Sequence, residues 1–155
     1  MSIFGQAANR LKTLKKSLST AESCTGGLVA HRLTNIPGSS DFFKGGMIAY
    51  SNQAKQRLLR IPETVLKKHG AVSAPVARLM AQNVRKVFQT NFGIGITGIA
   101  GPSGGTRRKP VGLVHIAAAS RRRIKHRKFL FSGTRLQIKR QAADQAVQLL
   151  LNLLQ

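Results

Sequence analysis

The sequence predicts one α/β domain in which a mixed sheet carries helices on both faces. Two short strand-like segments, 18–22 and 92–97, each run into a turn rich in hydroxyls or glycines. Segments with apolar residues at helical spacing alternate with them. No repeat or linker divides the 155 residues, a length that buries a core without staples, so a single domain over 1–155 is expected.

Residues 2–16 space Phe4, Ala7, Leu11 and Leu14 helically among basic residues, which predicts an amphipathic helix and not a secretory leader. Leu18 to Glu22 is a short strand that turns at Ser23. A helix follows over Leu28–Ile36 and stops at the breaker pair Pro37-Gly38. Ser39 to Phe43 is a loop or helical turn, and Gly46 to Tyr50, short and apolar, reads as a buried strand. Asn52 to Leu59 can be helical, and Pro62 and Gly70 bound another helix. Ser73 caps the next, with Pro75 just inside it; Val76, Leu79, Met80, Val84, Val87 and Phe88 form its apolar face. Phe92 to Thr97 is a strand whose glycines imply close approach to another backbone. A flexible loop, 98–105, follows. Gly112–Ala119 and Ile124–Phe131 make an antiparallel hairpin about Ser120–Arg123, and Thr134 begins a long final helix. After the first helix the order reads β-α-β-α-α-β-β-β-α.

Hydrophobic residues make up 42% of the chain, and no run approaches the ~20 apolar residues of a membrane span. Cytoplasm is the expected compartment, with no membrane partner. Cys24 is the only cysteine, which excludes an internal disulfide and a cysteine-based metal cluster. The net charge is +22, with Glu22, Asp41, Glu63 and Asp144 the only acids. That balance attracts phosphates, whether on a small nucleotide, a nucleic acid or a membrane. Basic residues are scattered, with denser runs at Arg107–Lys109 and Arg121–Lys128; Trp is absent and Tyr50 is the only Tyr, so stacking residues are missing. The charge reads as a diffuse basic surface more than a dedicated groove, and nucleic acid is a partner through charge alone.

The chemistry centres on Ser19-Thr20-Ala21-Glu22-Ser23-Cys24-Thr25-Gly26-Gly27. A hydroxyl at a strand-to-helix turn sits at a sheet edge, exposed to solvent, and the amides of the new helix point back toward it. Gly26 and Gly27 let a ligand approach the main chain. The arrangement suits a phosphate cradle or a serine nucleophile with its oxyanion held by amides; it equally suits a plain helix start capped by Thr25 or Ser23. The histidines, at 31, 69, 115 and 126, lie outside the glycine- and hydroxyl-rich segments and read as surface or core residues. Lys55, after Tyr50-Ser51-Asn52, is a candidate base, active only when burial or neighbouring cations make it neutral. Thr97-Gly98-Ile99-Ala100-Gly101-Pro102 forms a second candidate anion nest, and Arg135 near the last helix start suits a phosphate.

Thr20–Gly27, Pro37–Ser40, Tyr50–Lys55, His69–Ser73, Thr97–Pro102 and Lys109–Gly112 together, in this order, resemble the CinA C-terminal domain family of nicotinamide-nucleotide amidases, from about Leu18 to the C-terminus. The resemblance implies a three-layer α/β/α sandwich with a mixed, mostly parallel sheet. It also implies hydrolysis of nicotinamide mononucleotide to nicotinate mononucleotide and ammonia, without metal or cofactor, by a homodimer. Carried over by motif, Ser23 is the nucleophile, Lys55 the base and Tyr50 stands beside it. Ser40 joins their polar network, while Cys24, Thr25, Gly26, Gly27, Thr97, Gly98, Gly101 and Arg135 meet the substrate. Relatives often carry acids where this chain has Ser103-Gly104-Gly105-Thr106-Arg107-Arg108, which alters the charge at the pocket rim. Larger members have a further N-terminal domain, whose activities do not transfer to these residues. A second reading remains: a catalytically idle basic module that associates with nucleic acid, with the link to competence that the family name suggests.

Overall fold

The computed structural model describes residues 1–155. Its helices are α1 (Ile3–Thr13), α2 (Leu28–Thr34), α3 (Asn52–Leu59), α4 (Glu63–His69), α5 (Ala74–Phe88) and α6 (Arg135–Leu153). Its strands are β1 (Leu18–Glu22), β2 (Phe43–Ile48), β3 (Phe92–Gly98), β4 (Leu113–Ala119) and β5 (Ile124–Leu130). They form one sheet in the order β2-β1-β3-β4-β5. β1 pairs in parallel with β2 and β3, while β4 is antiparallel to β3 and to β5. Four strands therefore share a direction and β4 alone opposes them. The fold is a mixed α/β sandwich of three layers.

The apolar spacing of each helix explains which face it covers. Phe4 and Leu11 of α1, Val29 and Leu33 of α2, and Ile138, Val147 and Leu150 of α6 pack on Leu18, Ile94, Ile96, Val114 and Ile116. Across the sheet, Leu59 of α3, Leu66 of α4, and Val76, Met80 and Val84 of α5 enclose Ala21. α5 lies on β3 because Gly93 and Gly95 present no side chain: a Cβ at either would collide with the backbone of Ala77 and Ala81. This is the close approach that the glycines of 92–97 predict. At the other end of the chain, Thr134 and Gln137 form a reciprocal capping box that fixes the first turn of α6.

Three local expectations change. β2 begins at Phe43 and ends at Ile48, and its side chains alternate between half-buried and exposed. As an edge strand packed mainly on one face, it is not the buried strand that its apolar run suggests. The condensed order gives two helices between β2 and β3, whereas the structure has three, as the separate signals at Asn52, Pro62 and Ser73 indicate. α1 stops at Thr13, short of Lys15, whose φ of +52° lies in the left-handed region. No helix is long and apolar enough to cross a membrane.

Candidate active site

β1 ends at Glu22, and the chain turns sharply at Ser23, held to β3 by the bond from its backbone N–H to Ile96 O at 3.0 Å. β1 lies between β2 and β3, so this turn opens at the C-terminal edge of the parallel strands, where α/β sheets place ligands. The amides at the start of α2 do not point at Ser23. Those of Gly27 (3.1 Å), Val29 (3.2 Å) and Ala30 (2.9 Å) all donate to the Glu22 carboxylate, which is buried. Neither Thr25 nor Ser23 caps α2; Gly27 occupies the cap in the left-handed region, and the carboxylate behind it supplies the acceptor. Ser23 is also not exposed as its turn position suggests, having only 7% of its surface accessible.

Lys55 reaches this turn from α3, the helix that follows β2. It lies in the second turn of α3, whose N-cap Ser51 accepts a bond from Ala54 N, so the helix starts just after the strand end and directs Lys55 inward. Its Nζ lies 3.0 Å from Ser23 Oγ and donates to Ala49 O at 2.9 Å. The side chain is 2% exposed and forms no salt bridge. Burial pushes its pKa below the ordinary 10.5; the neighbouring Cys24 sulfur pulls weakly the other way. A neutral amine here donates one N–H to Ala49 O and turns its lone pair toward the Ser23 hydroxyl.

A cavity of about 360 Å³ lies over this pair. Of the residues expected from sequence, Ser23, Cys24, Tyr50, Lys55, Thr97, Gly98, Gly101 and Arg135 line it. Tyr50 stands at the mouth, 60% exposed, and its hydroxyl bonds to Arg135 Nη2 at 2.9 Å, not to Ser23 or Lys55. Arg135 Nη1 donates to Gly101 O at 2.6 Å, so one guanidinium bridges the glycine loop and Tyr50. Thr97 gives its hydroxyl to Ala71 O at 2.8 Å, which anchors the segment before α5 against β3. Cys24 is buried, and burial pushes its thiol pKa up to about 12, so it packs as a thiol and not a thiolate.

Four expected residues are not in the cavity wall. Gly26 and Gly27 have φ of +59° and +96°, and they make the tight turn into α2 instead of admitting a ligand. Thr25 is buried beneath that turn. Ser40 lies in the 3-10 turn before β2. Because β1 and β2 are parallel, with Leu18 beside Phe43 and Glu22 beside Ile48, Ser40 stands at the opposite end of the sheet from Ser23. It takes no part in the polar network there. The sequence reading missed Glu22 as the cap and Asn52, Ala71 and Val72 as wall, while Ser103 and Gly104 reach the cavity from the loop expected at its rim. The signal for Glu22 was present: a carboxylate just ahead of a helix start suits the helix dipole. Nothing local marked Ala71 and Val72. A larger groove, about 510 Å³ over Leu59, Arg60, Asn83, Lys86 and Val87, contains no nucleophile.

The comparisons agree with this architecture. Residues 2–154 match the CinA C-terminal domain. A protein of Moorella thermoacetica is 54% identical over 134 residues, 86% of this chain and 32% of the relative. A CinA-like protein of Syntrophus aciditrophicus is 48% identical over 147 residues, 94% of this chain and 35% of the relative. The chain thus spans about a third of the length of these curated relatives. The crystal structure of the competence/damage inducible protein CihA from Agrobacterium tumefaciens superposes with a TM-score of 0.94 at 38% identity, covering 100% of this chain and 98% of that one. On matched length, identity and fold together, the chain belongs to the CinA C-terminal domain family.

Proposed function

We propose that the domain is a metal-independent amidohydrolase that converts nicotinamide mononucleotide to nicotinate mononucleotide and ammonia. One observation carries the chemistry: a buried lysine amine, with its pKa lowered, 3.0 Å from a serine hydroxyl at the floor of a cavity. Neutral Lys55 accepts the Ser23 proton as Ser23 Oγ attacks the carboxamide carbon. The backbone amide of Cys24, at the cavity wall beside Ser23, suits the developing oxyanion. The Lys55 ammonium returns its proton to the departing nitrogen, which leaves as ammonia. Water, deprotonated by neutral Lys55, then cleaves the seryl ester to release nicotinate and restore Ser23.

The nucleotide part of the substrate rests on the cationic rim. Arg135 has two guanidinium nitrogens already oriented by Gly101 and Tyr50, and its remaining N–H groups suit a phosphate. Ammonia release is measured with nicotinamide mononucleotide and with nicotinamide riboside. Arg135→Ala is expected to raise KM for the mononucleotide about 10-fold or more, the loss of one charge-assisted contact, and to change riboside turnover little. No ammonia from either substrate with the unaltered chain refutes the reading.

A further inference from the structure

The densest basic run of the sequence, Arg121–Lys128, lies on the β4–β5 hairpin at one edge of the sheet. Asp and Glu are absent from residues 64–143, which include β3, β4 and β5. The four acids lie elsewhere: Glu22 is buried under α2, Asp144 pairs with Arg32 at 2.7 Å, Glu63 pairs with Lys67 at 3.1 Å, and Asp41 lies before β2. β5 is the edge strand, and it carries Lys125, Arg127 and Lys128. The β4–β5 turn adds Arg121, Arg122 and Arg123, all exposed. On the α5 side, Lys109 and Lys128 stand close to His115, and Arg78 close to His126.

Two of these cations are held at the negative C-terminal end of α6, and the others form no salt bridge. Arg123 Nη2 donates to Leu153 O at 2.8 Å and Lys125 Nζ to Asn152 O at 2.6 Å, both carbonyls at the C-terminal end of α6. Arg127 lies over the Phe129 ring at 5.8 Å. His115 Nδ1 and His126 Nε2 are 2.9 Å apart, and their rings stack at 5.2 Å. The hairpin therefore carries cations on both faces of the edge strand, with no carboxylate side chain beside them. Uncompensated charge of this kind finds its partner in a polyanion.

We propose that the β5 edge and its turn form a docking surface for double-stranded DNA, binding the phosphate backbone without reading bases. β5 has seven residues, a row about 20 Å long, which matches roughly six base pairs of duplex. Single strands require exposed aromatic platforms. Here Phe129 and Phe131 stack on each other at 5.0 Å, and both are half-buried. A lipid surface requires a continuous apolar face; the exposed apolar residues of β5, Ile124 and Leu130, lie at its two ends. Duplex DNA carries one phosphate charge per ~1.7 Å of axis, a density that the closely spaced cations of the hairpin can neutralise without entering a groove. The β4–β5 turn is at the opposite end of the sheet from Ser23, since Gly98 and Val114 pair at the Ser23 end. DNA docking is thus independent of the hydrolytic reading.

The test is fluorescence anisotropy with a labelled 20-base-pair DNA duplex over a salt series. A hairpin variant carries Arg121→Ser, Arg122→Ser, Arg127→Gln and Lys128→Gln. A control of equal net charge carries Lys15→Asn, Lys16→Gln, Arg57→Gln and Lys68→Gln, all exposed and outside the β4–β5 hairpin. The hairpin variant is expected to lose at least about 10-fold in affinity near physiological salt, and its log K–log salt slope to fall by about three to four. The control is expected to lose less than about threefold with its slope nearly unchanged, and Arg122→Ser alone to lower the slope by about one. Equal losses in hairpin variant and control overturn the proposal, as does tighter binding to an RNA duplex or to phosphatidylglycerol vesicles. Thermal melts of each variant separate these outcomes from loss of fold.

Discussion

Two regions of the sheet hold a nitrogen base whose charged form burial disfavours. At the C-terminal ends of β1 and β3, Lys55 lies against Ser23; on the β4–β5 hairpin, His115 lies against His126. Burial lowers both pKa values, that of His115 to about 4, where His126, Lys128 and Lys109 add to the effect. Only Lys55 has a hydroxyl at 3.0 Å and a cavity above it. His115 meets another imidazole, and neither histidine lines that cavity. A lowered pKa is thus not by itself a sign of catalysis; what separates the regions is a nucleophile within reach and room for a substrate.

The largest expected effect breaks the pair at its oxygen. Ser23→Ala is expected to reduce amide hydrolysis by about 10³-fold or more, with the melting temperature nearly unchanged. Cys24→Ser is expected to keep most of the activity, because the thiol is buried and protonated. A dead Cys24→Ser beside an active Ser23→Ala reverses the assignment.

Next comes the nitrogen. With a folded pKa below 10.5, the Lys55 amine gains its neutral, active form as pH rises through that lowered value, so kcat/KM is expected to climb with pH. Lys55→Arg keeps the charge but cannot release a proton near neutrality, and is expected to be nearly inactive. A pH–rate profile of the parent and a single-point assay of the variant check both. A flat profile, or an active arginine variant, removes Lys55 from the role of base.

The third effect falls on the scaffold. Glu22→Gln places an amide donor against the three N–H groups of α2 and is expected to cost about 1–3 kcal/mol. For a chain of this size that lowers the melting temperature by ~2–4 °C per kcal/mol. Activity should fall with it, because Ser23 follows Glu22 directly. A variant that melts with the parent shows that the cap does not hold the turn.

The smallest effect belongs to the other region. His115 binds its proton near 6.5 when unfolded but only near 4 when folded. Between those values the unfolded chain holds more protons, so stability is full above about 6.5 and declines as pH falls toward 4. His115→Gln is expected to flatten this acid limb in urea melts taken at pH 7 and pH 5, while leaving amide hydrolysis intact. A loss of hydrolysis with a normal fold makes the two regions less different than their geometry implies.

Much of this molecule was legible along the chain. Helical spacing, breakers and caps located α1 to α6 within a few residues, because those signals act between neighbours three or four positions apart. The glycines of β3 announced a close helix, and the motif from Thr20 to Gly27 marked the turn that floors the cavity. Edge and interior strands were not legible: Phe43–Ile48 is apolar enough to be buried, and only its place beyond β1 exposes alternate side chains.

Motif order alone also could not say which residues would meet. Lys55 and Ser23 are 32 positions apart, and they converge because β2 lies parallel to β1, so both strands end on the same side. The same pairing carries Ser40 to the far end, although its Gly-Ser-Ser setting looked equally polar. Glu22 was one acid among four until the fold set it behind the amides of α2. The run Arg121–Lys128 became an exposed edge only when β5 took the outer position in the sheet. Local pattern specifies elements because its forces are short-ranged; strand order and direction decide everything that depends on distant segments sharing an edge.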